Sequence, residues 1–164
     1  MNKVIVVIAL TLVGITSFAA RFGNNTISTI SAATVACSKD GKTIYVTSDA
    51  GEVLKSDDGG SSFSKLNGFG TNTIGAIGAI SVACSSDGDT VYICTGAAQI
   101  IKATDGGRNG QRSFGALKGT GSRYIADIAA TTISCSGDGK IVFTTSKNGK
   151  LFVSIDGGDR FKAL

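Results

Sequence analysis

Three aspartates, each followed by two glycines, are the residues of this sequence whose type and spacing could carry chemistry. Asp58, Asp105 and Asp156 lie in the stretches SDDGGSSF, ATDGGRNGQRSF and SIDGGDRF. A carboxylate in such a stretch could bind calcium, form half of a glycosidase pair, or accept backbone N–H bonds in a tight turn. Calcium needs a cluster of oxygen ligands, and one or two aspartates per stretch are too few. We therefore predict that these aspartates hold turns.

Other catalytic groups are scarce. The sequence contains no histidine, and Glu52 is its one glutamate. The commonest general base is thus missing, together with any Ser-His-Asp or Cys-His arrangement. No Cys-x-x-Cys pair indicates zinc, and no glycine-rich loop before a helix indicates a phosphate site. We expect a protein that is not an enzyme and that uses no cofactor or metal.

The aspartate stretches belong to a longer internal repeat. Each is preceded by a Cys-Ser-x-Asp-Gly phrase, which begins at Cys37, Cys84 and Cys135. Aligning these phrases also aligns isoleucines upstream and a Phe and a Leu downstream. The repeat predicts three units, 27–66, 74–117 and 125–164, within a domain spanning 24–164.

Each unit has the pattern of β-strands. Asp-Gly and Asn-Gly dipeptides, which suit tight hairpin turns, interrupt every apolar run. Several runs are apolar on both faces, as expected for sheets that are covered on both sides. These runs are Ile44-Tyr45-Val46, Val91-Tyr92-Ile93 and Ile141-Val142-Phe143. The fold class predicted for this part of the chain is all-β.

The aspartate stretches resemble the Asp-box of BNR repeats, a motif of sialidases and other β-propellers. The matching residues are Ser56, Asp58, Gly60 and Phe63 in the first unit, Asp105, Gly107 and Phe114 in the second, and Ser154, Asp156, Gly158 and Phe161 in the third. The second copy has Ala103 in place of the serine, and Phe stands where the family usually carries Trp. The resemblance implies three propeller-like blades, with each box forming the turn between the last two strands of a blade.

Three blades are fewer than a closed propeller requires. Propellers typically have four to eight blades, and exposed sheet edges invite pairing with another chain. We therefore expect contact with neighbouring proteins, and a homo-oligomer is one form that such contact could take.

The N-terminal segment, residues 1–23, is predicted to be a hydrophobic helix. Residues 4–20 are uncharged and lie between Lys3 and Arg21. This length matches a short membrane anchor, which is the interpretation we favour. A cleavable secretory signal with a cleavage site after Ala19 and a buried soluble helix remain alternatives.

The four cysteines bear on the cellular compartment. If Asp87-Gly88 forms a hairpin turn, Cys84 pairs with Val91 and Cys94 with Ser81, so that Cys84 and Cys94 lie on opposite faces, which disfavours a disulfide between them. We predict that the repeated cysteines are small buried apolar residues, with a thiolate cluster as the alternative. Unpaired thiols favour synthesis in a reducing compartment.

The net charge of +4 contains no run of lysines or arginines, and aromatic and basic residues do not alternate. We therefore expect no nucleic-acid binding. The sequence predicts a non-catalytic structural or interaction protein, anchored in a membrane within a larger assembly. The repeats also resemble degenerate Asp-box repeats of virion proteins, which suggests a minor capsid protein of a membrane-containing large DNA virus. A secreted or envelope module that binds glycans or other ligands is the alternative.

The second unit departs from the repeat in one place. Six residues, Arg108–Ser113, separate its glycines from its phenylalanine where the other units have two. The insertion is either a drifted surface turn or a contact loop in which Arg108 and Arg112 bind carboxylates of a partner.

Overall fold

The computed structural model describes residues 21–22, 25–26, 31–66, 78–106, 114–116 and 128–164. These residues contain fourteen β-strands arranged in three sheets. The strands are β1 (Arg21–Phe22), β2 (Asn25–Thr26), β3 (Ala32–Cys37), β4 (Ile44–Ser48), β5 (Val53–Ser56), β6 (Ser62–Lys65), β7 (Ala79–Cys84), β8 (Val91–Thr95), β9 (Ile100–Ala103), β10 (Phe114–Ala116), β11 (Ala130–Cys135), β12 (Val142–Ser146), β13 (Leu151–Ser154) and β14 (Lys162–Ala163). The all-β prediction is confirmed.

Each repeat forms one antiparallel four-stranded blade with its strands in sequence order. Blade 1 is β3–β6, blade 2 is β7–β10 and blade 3 is β11–β14. Two short strands extend blade 1, because β1 pairs in parallel with β6 and β2 pairs with β1. The sequence did not predict this extension.

The predicted N-terminal helix falls mostly on residues outside those that the structure describes. Arg21 and Phe22 are the described residues of this segment, and they form strand β1 and not a helix. In the part of the chain that the structure describes, no helix is both long and apolar enough to cross a membrane.

The first strands of the three blades pack against one another in chain order. Strand β7 contacts β3 and β4 on one side and β11 on the other. Blade 2 therefore lies between blades 1 and 3. Each blade has a front face, turned toward the next blade in the sequence, and a back face, turned toward the preceding one.

Two apolar cores fill the spaces between the blades. The front face of blade 1 contributes Tyr45 and Val53 to the first core, and the back face of blade 2 contributes Val82, Val91 and Ile93. The second core joins the front face of blade 2 to the back face of blade 3 in the same way. Strand β8 is buried at every position, because alternate residues enter different cores. A third, smaller cluster lies on the back face of blade 1.

Candidate interaction surface

The turn that carries each Asp-Gly-Gly sequence, which we call the box turn, is held by one aspartate and one serine. In blade 1, Asp58 Oδ1 accepts bonds from Ser56 Oγ at 2.7 Å and from the Ser62 backbone N–H at 2.8 Å. Ser56 Oγ in turn accepts the Gly60 N–H at 2.8 Å. The Ser62 hydroxyl, the Ser62 N–H and the Ser56 hydroxyl together lower the pKa of Asp58 to about 2. Phe63 is buried beside Gly60.

The box turn of blade 3 repeats this geometry with one bond fewer. Asp156 accepts Ser154 Oγ at 2.7 Å and the Arg160 N–H at 2.9 Å, and these bonds lower its pKa. Arg160 stands where blade 1 has Ser62, so the additional hydroxyl donor is missing. Phe161 packs, partly buried, against the core between blades 2 and 3.

The box turn of blade 2 is described only in part. Asp105 and Gly106 are within the described residues, and the Gly106 N–H donates to Asp89 O. Phe114 begins strand β10, where its backbone pairs with that of Ala103 on β9. Gly107, Arg108 and Arg112 lie outside the described residues, so the contact-loop hypothesis stays a prediction.

A second set of turns joins the first two strands of each blade. In this first turn of blade 1, Asp40 accepts Ser38 Oγ at 2.6 Å, and Ser38 Oγ accepts the Thr43 N–H at 3.0 Å. The same pair of bonds links Ser85 with Asp87 and Thr90, and Ser136 with Asp138 and Ile141. The repeated Cys-Ser-x-Asp-Gly phrase is thus a turn in which serine and aspartate satisfy backbone N–H groups.

A tyrosine in the second strand of blade 1, and another in that of blade 2, binds both turns of the blade that follows. The Tyr45 hydroxyl donates to Gly88 O at 2.8 Å and lies 3.3 Å from Gly106 O. These two carbonyls belong to the first turn and the box turn of blade 2. Tyr92 contacts the equivalent carbonyls of blade 3, Gly139 O at 2.6 Å and Gly157 O at 3.0 Å.

A lysine accompanies each of these tyrosines. Lys102 Nζ donates to Gly157 O at 2.9 Å and lies 5.5 Å from the centre of the Tyr92 ring. Lys55 lies 5.8 Å from the Tyr45 ring and pairs with Asp57 at 2.8 Å. We call each pair, Tyr45 with Lys55 and Tyr92 with Lys102, an inter-blade clamp. Burial raises the pKa of Tyr92, so its hydroxyl keeps the proton that it donates.

These clamps were not predicted from the sequence, in which Tyr45 and Tyr92 appear only as members of apolar strands. The available signal was the repeat alignment itself, which places Tyr45, Tyr92 and Phe143 at one position and Lys55, Lys102 and Val153 at another.

Blade 3 lacks a clamp, and its front face is uncovered by the described residues. Alternate residues of β12 and β13 point to this side, and Leu164 lies opposite Leu151, whose carbonyl accepts the Leu164 N–H. We call this front face the open face; its apolar side chains are Ile141, Phe143, Leu151, Val153, Ile155 and Leu164. Five of the six, all but Val153, are exposed.

Four of the six equivalent residues of blade 1 are buried, namely Tyr45, Val53, Lys55 and Leu66. Tyr45 is 0% exposed and its equivalent Phe143 is 38% exposed, while Leu66 is 5% exposed and its equivalent Leu164 is 70% exposed. An apolar sheet face of this kind is characteristic of a binding surface.

The cysteines differ in part from their prediction. The register is as predicted, with Cys84 opposite Val91 and Cys94 opposite Ser81, and all four thiols are free. The prediction of burial was wrong for Cys37, which is exposed because it lies on the back face of blade 1, where no described blade packs, and Cys84 and Cys135 are only partly buried. Burial raises the pKa of Cys84 to about 12 and that of Cys135 to about 11, so both are thiols at neutral pH. Among the described residues, no group of three Cys, Asp or Glu side chains could hold a metal ion.

No protein-family model matches this sequence, and no curated protein matches it. Solved structures do resemble the fold. The structure titled YCF48 bound to D1 peptide is 14% identical at a TM-score of 0.62, and the match covers 82% of this chain and 41% of that chain. The nidogen/laminin complex gives 15% identity and a TM-score of 0.61, covering 84% of this chain and 49% of that chain. A GH74 xyloglucanase from Xanthomonas campestris gives 15% identity and a TM-score of 0.55, covering 79% of this chain and 18% of that chain.

These neighbours are β-propeller proteins. The chain therefore has a propeller-like repeat fold, and its described residues supply three blades. It spans less than half the length of these neighbours. At such low identity the likeness shows the fold alone, and the neighbours include both interaction proteins and an enzyme.

Proposed function

We propose that this chain is a non-catalytic protein-interaction module that acts as one component of a larger assembly. The observation that carries the proposal is the open face of blade 3. Blades 1 and 2 bury the same face against a following blade, whereas blade 3 exposes Phe143, Leu151 and Leu164. Covering such a surface with a partner removes apolar area from water, which is the main driving force of protein association.

The titratable groups support a structural use of the turns. Asp40, Asp58, Asp138 and Asp156 all accept bonds from serine hydroxyls and backbone N–H groups of their own turns. These bonds stabilise the charged carboxylate, so the pKa of each is lowered. A general acid needs the opposite shift, toward the working pH. Two of the similar propellers are titled as complexes, one with a peptide and one with laminin.

We further propose that this module is attached to a membrane. The apolar run at residues 4–20 would anchor the chain, and its free thiols fit synthesis in a reducing compartment. A minor capsid protein of a membrane-containing virus combines both features. N-terminal sequencing of the native protein tests the anchor, because an N-terminus at Ala20 would show that the segment is a cleaved signal.

The interaction role is tested by purifying the full-length chain from its native source with its bound proteins. Phe143→Asp and Leu151→Asp place a carboxylate on the open face, and we expect the bound proteins to be lost. Ile80→Asp is the matched control, because Ile80 is 37% exposed and lies on blade 2. Unchanged recovery of the bound proteins with both open-face variants would contradict the proposal.

A further inference from the structure

The chemistry of the open face differs from that of the two front faces that receive a following blade. Those faces each present a clamp tyrosine to two glycine carbonyls of the next blade. Blade 3 has Phe143 and Val153 at the clamp positions, and neither side chain can donate a hydrogen bond. A further blade of the same kind would therefore bury two turn carbonyls without donors.

Because the open face lacks these donors, the back face of blade 1 from a second copy would pack poorly against it. Its turn carbonyls, those of Gly41 and Gly59, are the equivalents of the carbonyls that the clamps bind. Val46 and Leu54 on that face are already buried, so that Val35 is its one large exposed apolar side chain among the described residues, against five on the open face. Stacking of successive copies, blade 3 on blade 1, is disfavoured both by unpaired polar groups and by limited contact area.

The open face is, by contrast, well suited to contact a copy of itself. Its centre is apolar and uncharged, and the charged residue in its register is Lys162, which pairs with Val153 on the last strand. In that edge position the ammonium group stays in water while its aliphatic chain covers the rim. Hydroxyl groups of Thr132 and Ser134 border the other side, on β11.

We propose that two copies of this chain associate through their open faces, blade 3 against blade 3, about a twofold axis. The proposal rests on the proposed function, since it names the partner of the same surface. Twofold contacts between identical patches are the commonest form of protein self-association, and aligned packing of two twisted sheets is a common way to bury such faces. Each Phe143 then loses its contact with water against the apolar side chains of the other copy.

The area of the open face limits the expected affinity of the dimer. Four strands roughly 4.8 Å apart, each about five residues long, give a projected footprint on the order of 300 Å². Standard interfaces bury about 800 Å² of each partner. We therefore expect a dimer weaker than complexes of standard size, with a dissociation constant of about 10 μM or above.

Sedimentation equilibrium of the full-length chain in density-matched detergent, across and above that concentration, tests the proposal. We expect a monomer–dimer equilibrium, and Phe143→Asp should raise the dissociation constant by about 100-fold because it buries an unpaired carboxylate. Ile155→Asp is a second variant at a position that is 78% exposed, where folding does not depend on the side chain.

Val35→Asp separates the two ways in which copies could associate. Val35 lies on the back face of blade 1 and is 64% exposed, so it would be buried by stacking but not by the twofold dimer. We expect this variant to dimerise as the unaltered chain does. Loss of association with Val35→Asp would overturn the proposal in favour of stacking, and association insensitive to every variant would overturn it in favour of contact elsewhere.

A chain that stays monomeric at all concentrations would also overturn the dimer. The proposed function would survive that result if Phe143→Asp still removed other proteins bound to the native chain. It would fail together with the dimer if those proteins remained bound.

Discussion

Blades 2 and 3 have the same strand order and the same two kinds of turn, but they differ in what covers them. Blade 2 lies between two other blades, and its strand β8 is wholly buried. In blade 3, Val142 and Phe152 on the back face are buried, while Ile141, Phe143 and Leu151 on the front face are exposed. The repeat sequence therefore specifies the blade, whereas the packing of the blades decides which of its faces are covered.

The comparison can be tested most strongly with two glycines at equivalent positions. Gly51 of blade 1 has φ +76°, and an added Cβ would lie 2.6 Å from the Gly78 backbone of blade 2. Gly149 of blade 3 has φ +72° and nothing within 4 Å of such a Cβ. We expect Gly51→Ala to lower the free energy of unfolding by about 3 kcal/mol and Gly149→Ala by about 1 kcal/mol, because only the first adds a backbone clash to the left-handed strain. Urea denaturation measures both, and equal losses would contradict the assigned contact between blades 1 and 2.

A second pair of equivalent glycines lies in the first turns of blades 1 and 2. Gly88 of blade 2 faces Thr43 of blade 1, whose Cβ would be 2.8 Å from an added methyl group, whereas Gly41 has nothing within 4 Å. Gly88→Ala should cost about 2.5 kcal/mol and Gly41→Ala about 1 kcal/mol, both at positive φ. Thr43→Ser in the Gly88→Ala background should recover part of the loss, since it removes the Thr43 methyl group, which would lie 3.0 Å from the added Cβ. A Gly41→Ala variant as unstable as Gly88→Ala would show that strain alone sets the cost.

The clamp can be removed from blade 2 by making its tyrosine resemble blade 3. Tyr92→Phe deletes the hydroxyl that donates to Gly139 O, and we expect a loss of about 2 kcal/mol because this buried carbonyl loses its donor, whereas Gly157 O keeps its bond from Lys102. The reverse change, Phe143→Tyr on the open face, should alter stability by less than about 0.5 kcal/mol. Thermal unfolding followed by circular dichroism measures the difference. A neutral Tyr92→Phe would mean that the hydroxyl does not hold the blades together.

The smallest expected effect concerns the box turns of blades 1 and 3 and depends on pH. The pKa of Asp58 is about 2 in the folded chain, below its ordinary value of 3.8. A lowered pKa stabilises the fold above the ordinary value, and this contribution is lost as the pH falls from about 4 to about 2. Ser62→Ala removes the largest cause of the shift, so the pKa of Asp58 should rise toward its ordinary value. The acid loss of stability should still begin near pH 4, but it should be smaller and end at a higher pH than in the unaltered chain. Asp156 already lacks that hydroxyl, and Arg160→Ala should leave its pH dependence nearly unchanged, because the bond comes from the backbone. The unfolding free energy of each variant and of the unaltered chain is measured as a function of acid pH. A Ser62→Ala profile identical to that of the unaltered chain would contradict the role of the Ser62 hydroxyl.

Much of the fold followed from local sequence. The Asp-Gly dipeptides and the short apolar runs between them predicted hairpins, and the register of Cys84 with Val91 was obtained from one assumed turn. These predictions succeeded because turn geometry and strand pairing depend on neighbouring residues, whose preferences are written in the chain itself. The parallel strand β1 was not predictable in this way, since two residues carry no periodic signal and their partner β6 lies about forty positions away.

The repeat and the absence of histidine were determined by the sequence alone, and with them the all-β blades and the scarcity of catalytic groups. The tertiary structure decided which faces of those blades meet. Tyr45 and Tyr92 appear in the sequence as ordinary members of apolar strands, and only the packing brings their hydroxyls to carbonyls more than forty residues away. Phe143 occupies the same repeat position and remains exposed, because burial depends on what lies across the face and not on the strand to which a residue belongs.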